Sequence, residues 1–267
     1  MITTISDPDD PRIEGYHAVR ERDLVGRHGR FIAEGEVVLS VLLQSDYEVE
    51  SFLLSEKQIA LAQHIRATKH NKTPIYIAAQ SVMDRIVGFH IHRGILAIGK
   101  RPSTKSIDEL LTGLPNNAVV LGLLGLCNHD NIGGIFRNAA AFGVDAIVMD
   151  EACCDPLYRK ALRVSVGGVL KVPFSVVTNA DDLASALKRH NFRMLALSPS
   201  GKTELETLTT EGRTALFLGS EGPGLPETFM ANVETVSIKM QNAFDSLNVA
   251  TTSGIALYQI TKSLPSV

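Results

Sequence analysis

A chain of 267 residues, 45% hydrophobic and 21% charged, has the composition of a soluble globular protein with room for two domains. It contains no apolar run near the roughly 20 residues that a membrane helix needs, and its acidic start, MITTISDPDDPR, lacks the basic-then-apolar pattern of a secretory signal. A formal net charge of −3 excludes a binder that is basic over its whole surface, although local basic patches remain open to nucleic acid.

In chain order, residues 15–100 read as a small α/β unit. Strands are predicted at Phe31–Ala33, Val49–Leu54, Pro74–Ile77 and Ile95–Ile98, and helices at Tyr16–Val25, Glu36–Leu43 and Glu56–Thr68. Arg12, Arg20, Arg22, Arg27 and Arg30 crowd the start of this unit and form a first candidate patch for phosphate contact. His90 and His92 share one face of an extended segment, but further ligands are not evident and no metal site is expected. Lys100–Asn117 has the Pro, Ser, Thr and Asn content of a linker with a short amphipathic helix inside it. The expected division is therefore 1–99, a linker at 100–117, and a second domain at 118–267.

From Ala118 onward, strands and helices alternate regularly. Strands are predicted at Val119–Leu126, Asp145–Met149, Pro173–Val177, Arg193–Leu197, Ala215–Leu218 and Thr235–Ile238, with helices such as Ile132–Phe142 and Asp181–His190 between them. Near-continuous apolar strands separated by helices imply a parallel sheet covered on both faces. Cys127, Cys153 and Cys154 fit neither a disulfide framework nor a CxxC metal site, which predicts buried free thiols in a reducing cytoplasm. A second basic patch, Arg159, Lys160 and Arg163, lies in a stretch free of acids and is expected to contact phosphate.

Three motifs punctuate this half. NIGGIFRNAAAFG follows the first strand, placing Asn131 and Arg137 on the opening turns of a helix. LGSEGPGLP follows Ala215–Leu218; its glycines and proline make a turn whose backbone can approach a ligand closely. IKM and then SLN precede the last helix, where Ser246 is an expected N-cap. Loops at strand ends would bring Glu221, Ser246 and Asn248 together, as open α/β sheets build a ligand crevice. The order Gly219-x-x-Gly222-x-Gly224 is not a dinucleotide fingerprint, and a GxxxxGK[ST] phosphate loop is absent from the sequence.

Together, in this order and spacing, the motifs resemble the SpoU, or TrmH-like, family of RNA ribose 2′-O-methyltransferases in the SPOUT superfamily. The resemblance covers roughly residues 118–262. It implies a parallel-sheet SPOUT domain with a deep trefoil knot, acting as a homodimer in the cytoplasm on tRNA or rRNA. The segment GRFIAEGEVVLSVLL resembles the ribosomal-protein-like, RNA-binding N-terminal domain that many such proteins carry. Carried over, S-adenosylmethionine would be held by Leu197, Ser198, Gly219, Ser220, Glu221, Gly222, Ile238, Met240, Ser246 and Leu247. Arg137, Asn131, Glu221, Ser246 and Asn248 would form the catalytic group. Because guanidinium groups stay charged in proteins, Arg137 is expected to orient an RNA phosphate and stabilise the alkoxide, with the proton passing to solvent or phosphate. Glu221 would either anchor the arginine or shape the cofactor loop. The third motif departs from the family at Lys239, Asn242 and Asp245. The competing expectation is an RNA-binding protein that keeps the scaffold without catalysis.

Overall fold

The structure is a computed structural model that describes residues 2–20, 29–88, 91, 93–103, 105–209, 211–241 and 246–262, without the side chains of 18–20. Up to Lys100 the elements are β1 (Ile2–Ile5), a 3-10 helix (Pro11–Arg20), β2 (Arg30–Glu34), α1 (Glu36–Gln44), β3 (Val49–Ser55), α2 (Ile59–Arg66), β4 (Ile75–Ala78), α3 (Gln80–Val87) and β5 (Ile95–Lys100). Then come α4 (Ile107–Thr112), β6 (Val119–Leu123), α5 (His129–Ala141), β7 (Ala146–Asp150), α6 (Arg159–Val164), β8 (Phe174–Val177) and α7 (Ala180–Arg189). The chain closes with β9 (Arg193–Leu197), β10 (Thr203–Glu204), β11 (Thr214–Leu218), α8 (Glu227–Met230), β12 (Glu234–Ser237) and α9 (Val249–Thr261). Contacts divide these elements into two units, Met1–Ser103 with Asp155–Lys171, and Thr104–Cys154 with Val172–Val267.

The first unit is built on a five-stranded sheet in the order β1-β4-β3-β5-β2. β1, β4 and β3 run parallel, while β5 is antiparallel to both β3 and β2. Central β3 is apolar on both faces, as a doubly covered strand must be, with Phe52, Leu53 and Leu54 fully buried. Ile13 and Tyr16 of the 3-10 helix pack with Met83, Ile86 and Val87 of α3 against Leu53, Leu96 and Ile98. Tyr16 shares a 2.9 Å hydrogen bond with Ser51, and burial pushes its phenol up from the ordinary value. Sequence reading missed β1, which is short and followed by turn residues. It also missed α3, despite the helical spacing of Met83, Ile86 and Val87. The helix expected at Tyr16–Val25 is the 3-10 helix Pro11–Arg20, and residues 21–25 lie outside the described ones.

Asp155–Lys171, expected within the second domain, clusters with the first unit instead. Two ion pairs of low exposure hold it there: Arg101 with Asp155, and Arg159 with Glu34 at the end of β2. Gly167, at φ 82°, passes so close to Val41 that a Cβ would sit 2.9 Å from the Val41 Cβ. Beside Asp155, the half-buried Tyr47 phenol is pushed up to about 12, mainly by desolvation.

The second unit holds a seven-stranded, wholly parallel sheet in the order β10-β12-β9-β11-β6-β7-β8. β6, β7 and β8 step outward in one direction. The chain then returns to β9 on the far side of β11, and this reversal makes a switch point beside β6. β6 ends at Leu123, earlier than the predicted Leu126, because Gly125 turns at φ 67° and donates its N–H to the Asp150 carboxylate. The stretch expected as a linker carries α4, which a reciprocal capping box between Ser106 and Glu109 starts. α4 sinks Leu110 and Leu111 into the core with Leu183 and Leu187. Arg213 fixes the following turn by donating to the carbonyls of Leu114 and Pro115 while lying 5.5 Å over the Phe192 ring.

Candidate functional site

β12, β9 and β11 lie side by side, and the chain beyond each carboxyl end turns into one cavity of about 600 Å³. After β9, Ser198 donates its N–H to Val236 at 2.9 Å, and Gly201 closes the turn onto Ser198 at 3.0 Å. A Cβ on Gly201 would sit 2.3 Å from the Val236 carbonyl carbon, so only glycine fits there. After β11, the turn 219–225 closes with a 3.1 Å bond from Gly224 N–H to the Ser220 carbonyl. Gly224 takes φ 69°, which favours glycine. Gly219 faces the returning backbone, where a Cβ would lie 2.4 Å from the Gly224 carbonyl carbon. Ile238 and Met240 beyond β12, then Ser246 to Val249 and Thr252, complete the wall.

Every residue expected to hold the cofactor lines this cavity. Among the described lining residues Glu221 is the one ionisable side chain, and it is exposed. The remaining wall is leucine, isoleucine, methionine, valine and proline with a few hydroxyl and backbone groups. Such a site suits a ligand with a sizeable apolar part and a few polar groups.

The cavity wall joins directly to α5. Asn128 caps that helix by accepting from Asp130 N–H at 2.8 Å. Asn131 is buried and accepts a 2.8 Å hydrogen bond from the Asn248 side-chain amide. The other end of Asn248 accepts from the N–H groups of Ala250 and Thr251, so Asn248 is the N-cap of α9. That corrects the expected cap, Ser246, which lies two residues before Asn248 on the cavity wall. Arg137 is exposed on α5 and makes no hydrogen bond or ion pair among the described residues. Asn131, Glu221, Ser246 and Asn248 thus touch the cavity or each other, while Arg137 stands six residues, about 9 Å of helix rise, beyond Asn131.

The basic residues are placed less uniformly. Arg159 is largely buried and engaged by Glu34, which Arg163 also approaches at 3.8 Å; Lys160 is exposed. Arg30 is bonded to Glu50 at 2.8 Å, and Arg12 to Asp10. Arg22 and Arg27 lie outside the described residues, as do His90, His92, Asn242 and Asp245, and so does the Arg20 side chain. Of the cysteines expected to be buried, Cys127 is exposed and Cys153 and Cys154 are half-buried. Burial raises the Cys153 thiol, which donates to the Leu123 carbonyl and accepts from Leu126 N–H. Among the described residues no group of three or more His, Cys, Asp or Glu could hold a metal ion, and no helix is long and apolar enough to cross a membrane.

Comparison with known proteins places these features. The SpoU rRNA Methylase family model matches residues 118–258. This chain belongs to the SpoU family. An uncharacterised tRNA/rRNA methyltransferase of Mycobacterium bovis is 36% identical over 98% of this chain and 92% of its own length. The 23S rRNA (guanosine-2′-O-)-methyltransferase RlmB of Nitrosomonas europaea is 28% identical over 87% of this chain and 91% of its own. In fold, the chain matches an AdoMet-bound rRNA methyltransferase from Sinorhizobium meliloti with a TM-score of 0.85, at 19% identity and 99% coverage of both chains.

The three SpoU motifs occupy α5, the turn after β11, and the approach to α9. Sequence reading of the cavity missed Pro199, Leu225, Met230, Val249 and Thr252, which also line it. It passed over Gly134 and Asn138 as well, although their spacing from Asn131 at three and seven residues places all three on one helix stripe.

Proposed function

We propose that this chain transfers a methyl group from S-adenosylmethionine to a ribose 2′-hydroxyl of structured tRNA or rRNA. The observation that carries the reading is the cavity at the carboxyl ends of β12, β9 and β11. Its wall is mostly apolar with Glu221 as its one ionisable side chain among the described residues, and Asn248 bonds it to the helix bearing Arg137. S-adenosylmethionine supplies a sulfonium-bound methyl, and the apolar wall and Glu221 suit its adenosyl and cationic parts. The loops at Ser198, Gly219–Gly222, Ile238–Met240 and Ser246–Leu247 would hold it, with the chain around them drawn into a trefoil knot.

A ribose hydroxyl attacks poorly until its proton leaves, so the developing alkoxide needs positive charge beside it. Arg137 meets that need because its guanidinium is exposed and not committed to a carboxylate among the described residues. Its planar fork holds a neighbouring phosphate and the alkoxide together, while the proton passes to solvent or phosphate. Asn131 and Asn248 keep Arg137's helix seated on the cavity wall. The first unit, with Lys160 and Arg163, binds the RNA. The chain works in the cytoplasm as a homodimer through α9, which leaves Ile255 and Tyr258 41% and 64% exposed.

Transfer of labelled methyl to bulk tRNA and rRNA from cells lacking this protein tests the reaction, followed by alkaline hydrolysis. A 2′-O-methyl nucleotide resists alkaline cleavage because the free hydroxyl is the attacking group, whereas base methylation leaves cleavage intact. Labelled product that is fully alkali-labile would refute the ribose reading. Absence of both transfer and cofactor binding would leave an RNA-binding scaffold.

A further inference from the structure

α5 turns Asn131, Gly134 and Asn138 toward the first turns of α9, and the two helices meet along this seam. Gly134 sets the distance, since a Cβ there would lie 2.7 Å from the Ala250 Cβ. At one end of the seam the Asn248 amide donates to Asn131. At the other, the Asn138 amide donates to the Ala250 carbonyl at 2.7 Å and to the Ser253 hydroxyl at 2.9 Å. Ser253 is fully buried and donates to the same carbonyl at 2.7 Å, so the three groups form a closed set. Gly254 leaves space beside them, where a Cβ would come within 3.2 Å of the Asn138 amide nitrogen.

Two facts give this seam a role beyond packing. Among the described residues, none of α5 lines the cavity, whereas Asn248, Val249 and Thr252 at the start of α9 do. Arg137 is the neighbour of Asn138 on α5. A ligand that orders the start of α9 therefore acts on Arg137's helix through the bonds that join the two helices.

We propose that Asn138 is a positioning residue that fixes α5 on α9, so that filling the cavity with S-adenosylmethionine orders the helix carrying Arg137. This rests on the functional reading above for the identity of the ligand. Binding at the wall and readiness of the arginine are thereby coupled within one chain. The coupling runs through a side chain that does not line the cavity.

The test uses the full chain, with Asn138→Ala and the equally sized Asn138→Asp, which removes the donor. Calorimetry measures S-adenosylmethionine binding, and amide hydrogen exchange over 129–141 is followed with and without it. In the wild-type chain the ligand is expected to slow exchange over α5. Both variants are expected to bind within about threefold of wild type, to lose that slowing, and to fall at least tenfold in kcat with RNA KM within about threefold. Asn138→Asp is further expected to regain activity relative to wild type as the pH falls, because a protonated carboxyl again donates to Ala250. Slowing that persists in Asn138→Ala, or an unchanged kcat, overturns the proposal alone. Failure of the wild-type chain to bind S-adenosylmethionine overturns the functional reading and the proposal with it.

Discussion

Gly219→Ala adds one methyl group at the point where the cavity turn folds back on itself. The new Cβ would lie 2.4 Å from the Gly224 carbonyl carbon, 2.5 Å from Leu225 N and 2.6 Å from Gly224 O. Ordinary contact begins near 3.4 Å, and the obstacle is backbone, which cannot rotate away as a side chain can. The turn must open by about 1 Å, a small-to-large strain of about 1–3 kcal/mol. The free protein relieves this by letting residues 220–225 move outward, and ligand binding must then draw them back. A cost of that size weakens binding by between about five- and 150-fold. Calorimetry with S-adenosylmethionine reads the change, with thermal melting to establish that the fold persists. Gly222→Ala is the control, since a Cβ there meets nothing within 4 Å of the protein and any effect reports the ligand itself. An affinity within twofold of wild type for Gly219→Ala, at unchanged melting temperature, would refute the assignment of this turn as a cofactor wall.

Arg137→Ala is expected to abolish the alkali-resistant product with cofactor affinity kept within about threefold. Arg137→Lys should lose at least tenfold in rate, about 1.4 kcal/mol; full activity would mean that charge alone suffices. His70 is buried against Phe52, and desolvation, with Lys69 adding to it, pushes its imidazole below the ordinary 6.5. The folded chain favours the neutral ring, so its stabilisation is complete above about pH 6.5 and is lost as the pH falls through the folded-state value. Melting temperature should therefore drop more between about pH 7.5 and 5.5 in wild type than in His70→Gln, and parallel drops would exclude His70 as the cause. A chain cut to 104–267, which keeps α4, retains Asp155–Lys171 without Glu34, Val41 and Arg101, and should melt below the full chain; equal melting would show that these contacts add no stability. Sedimentation should find a homodimer that Ile255→Asp converts to monomer, and a monomeric wild type would remove α9 as an interface.

The sequence by itself determined what local pattern controls. Apolar runs between helices required a parallel sheet, and β6, β7, β8, β9, β11 and β12 lie where those runs are. The turn after β11 was legible because only glycine suits a close backbone approach, and resemblance to a family, rather than periodicity, named the cavity residues. Tertiary structure decided partners. The Asn248 amide meets Asn131 across 117 residues, Asn138 meets Ala250 across 112, and Arg159 meets Glu34 across 125. The cost of closing such loops rises only slowly with their length, so separation along the chain says little about which pairs form. The same limit explains the N-cap of α9. Ser246 and Asn248 are both able caps, and the choice fell to Asn248, whose amide could cap the helix and bond Asn131 at once. It explains Asp155–Lys171 as well, where an acid-free basic stretch read as a surface for phosphate. Folding brought Glu34 of β2 to Arg159, a partner that no local pattern names.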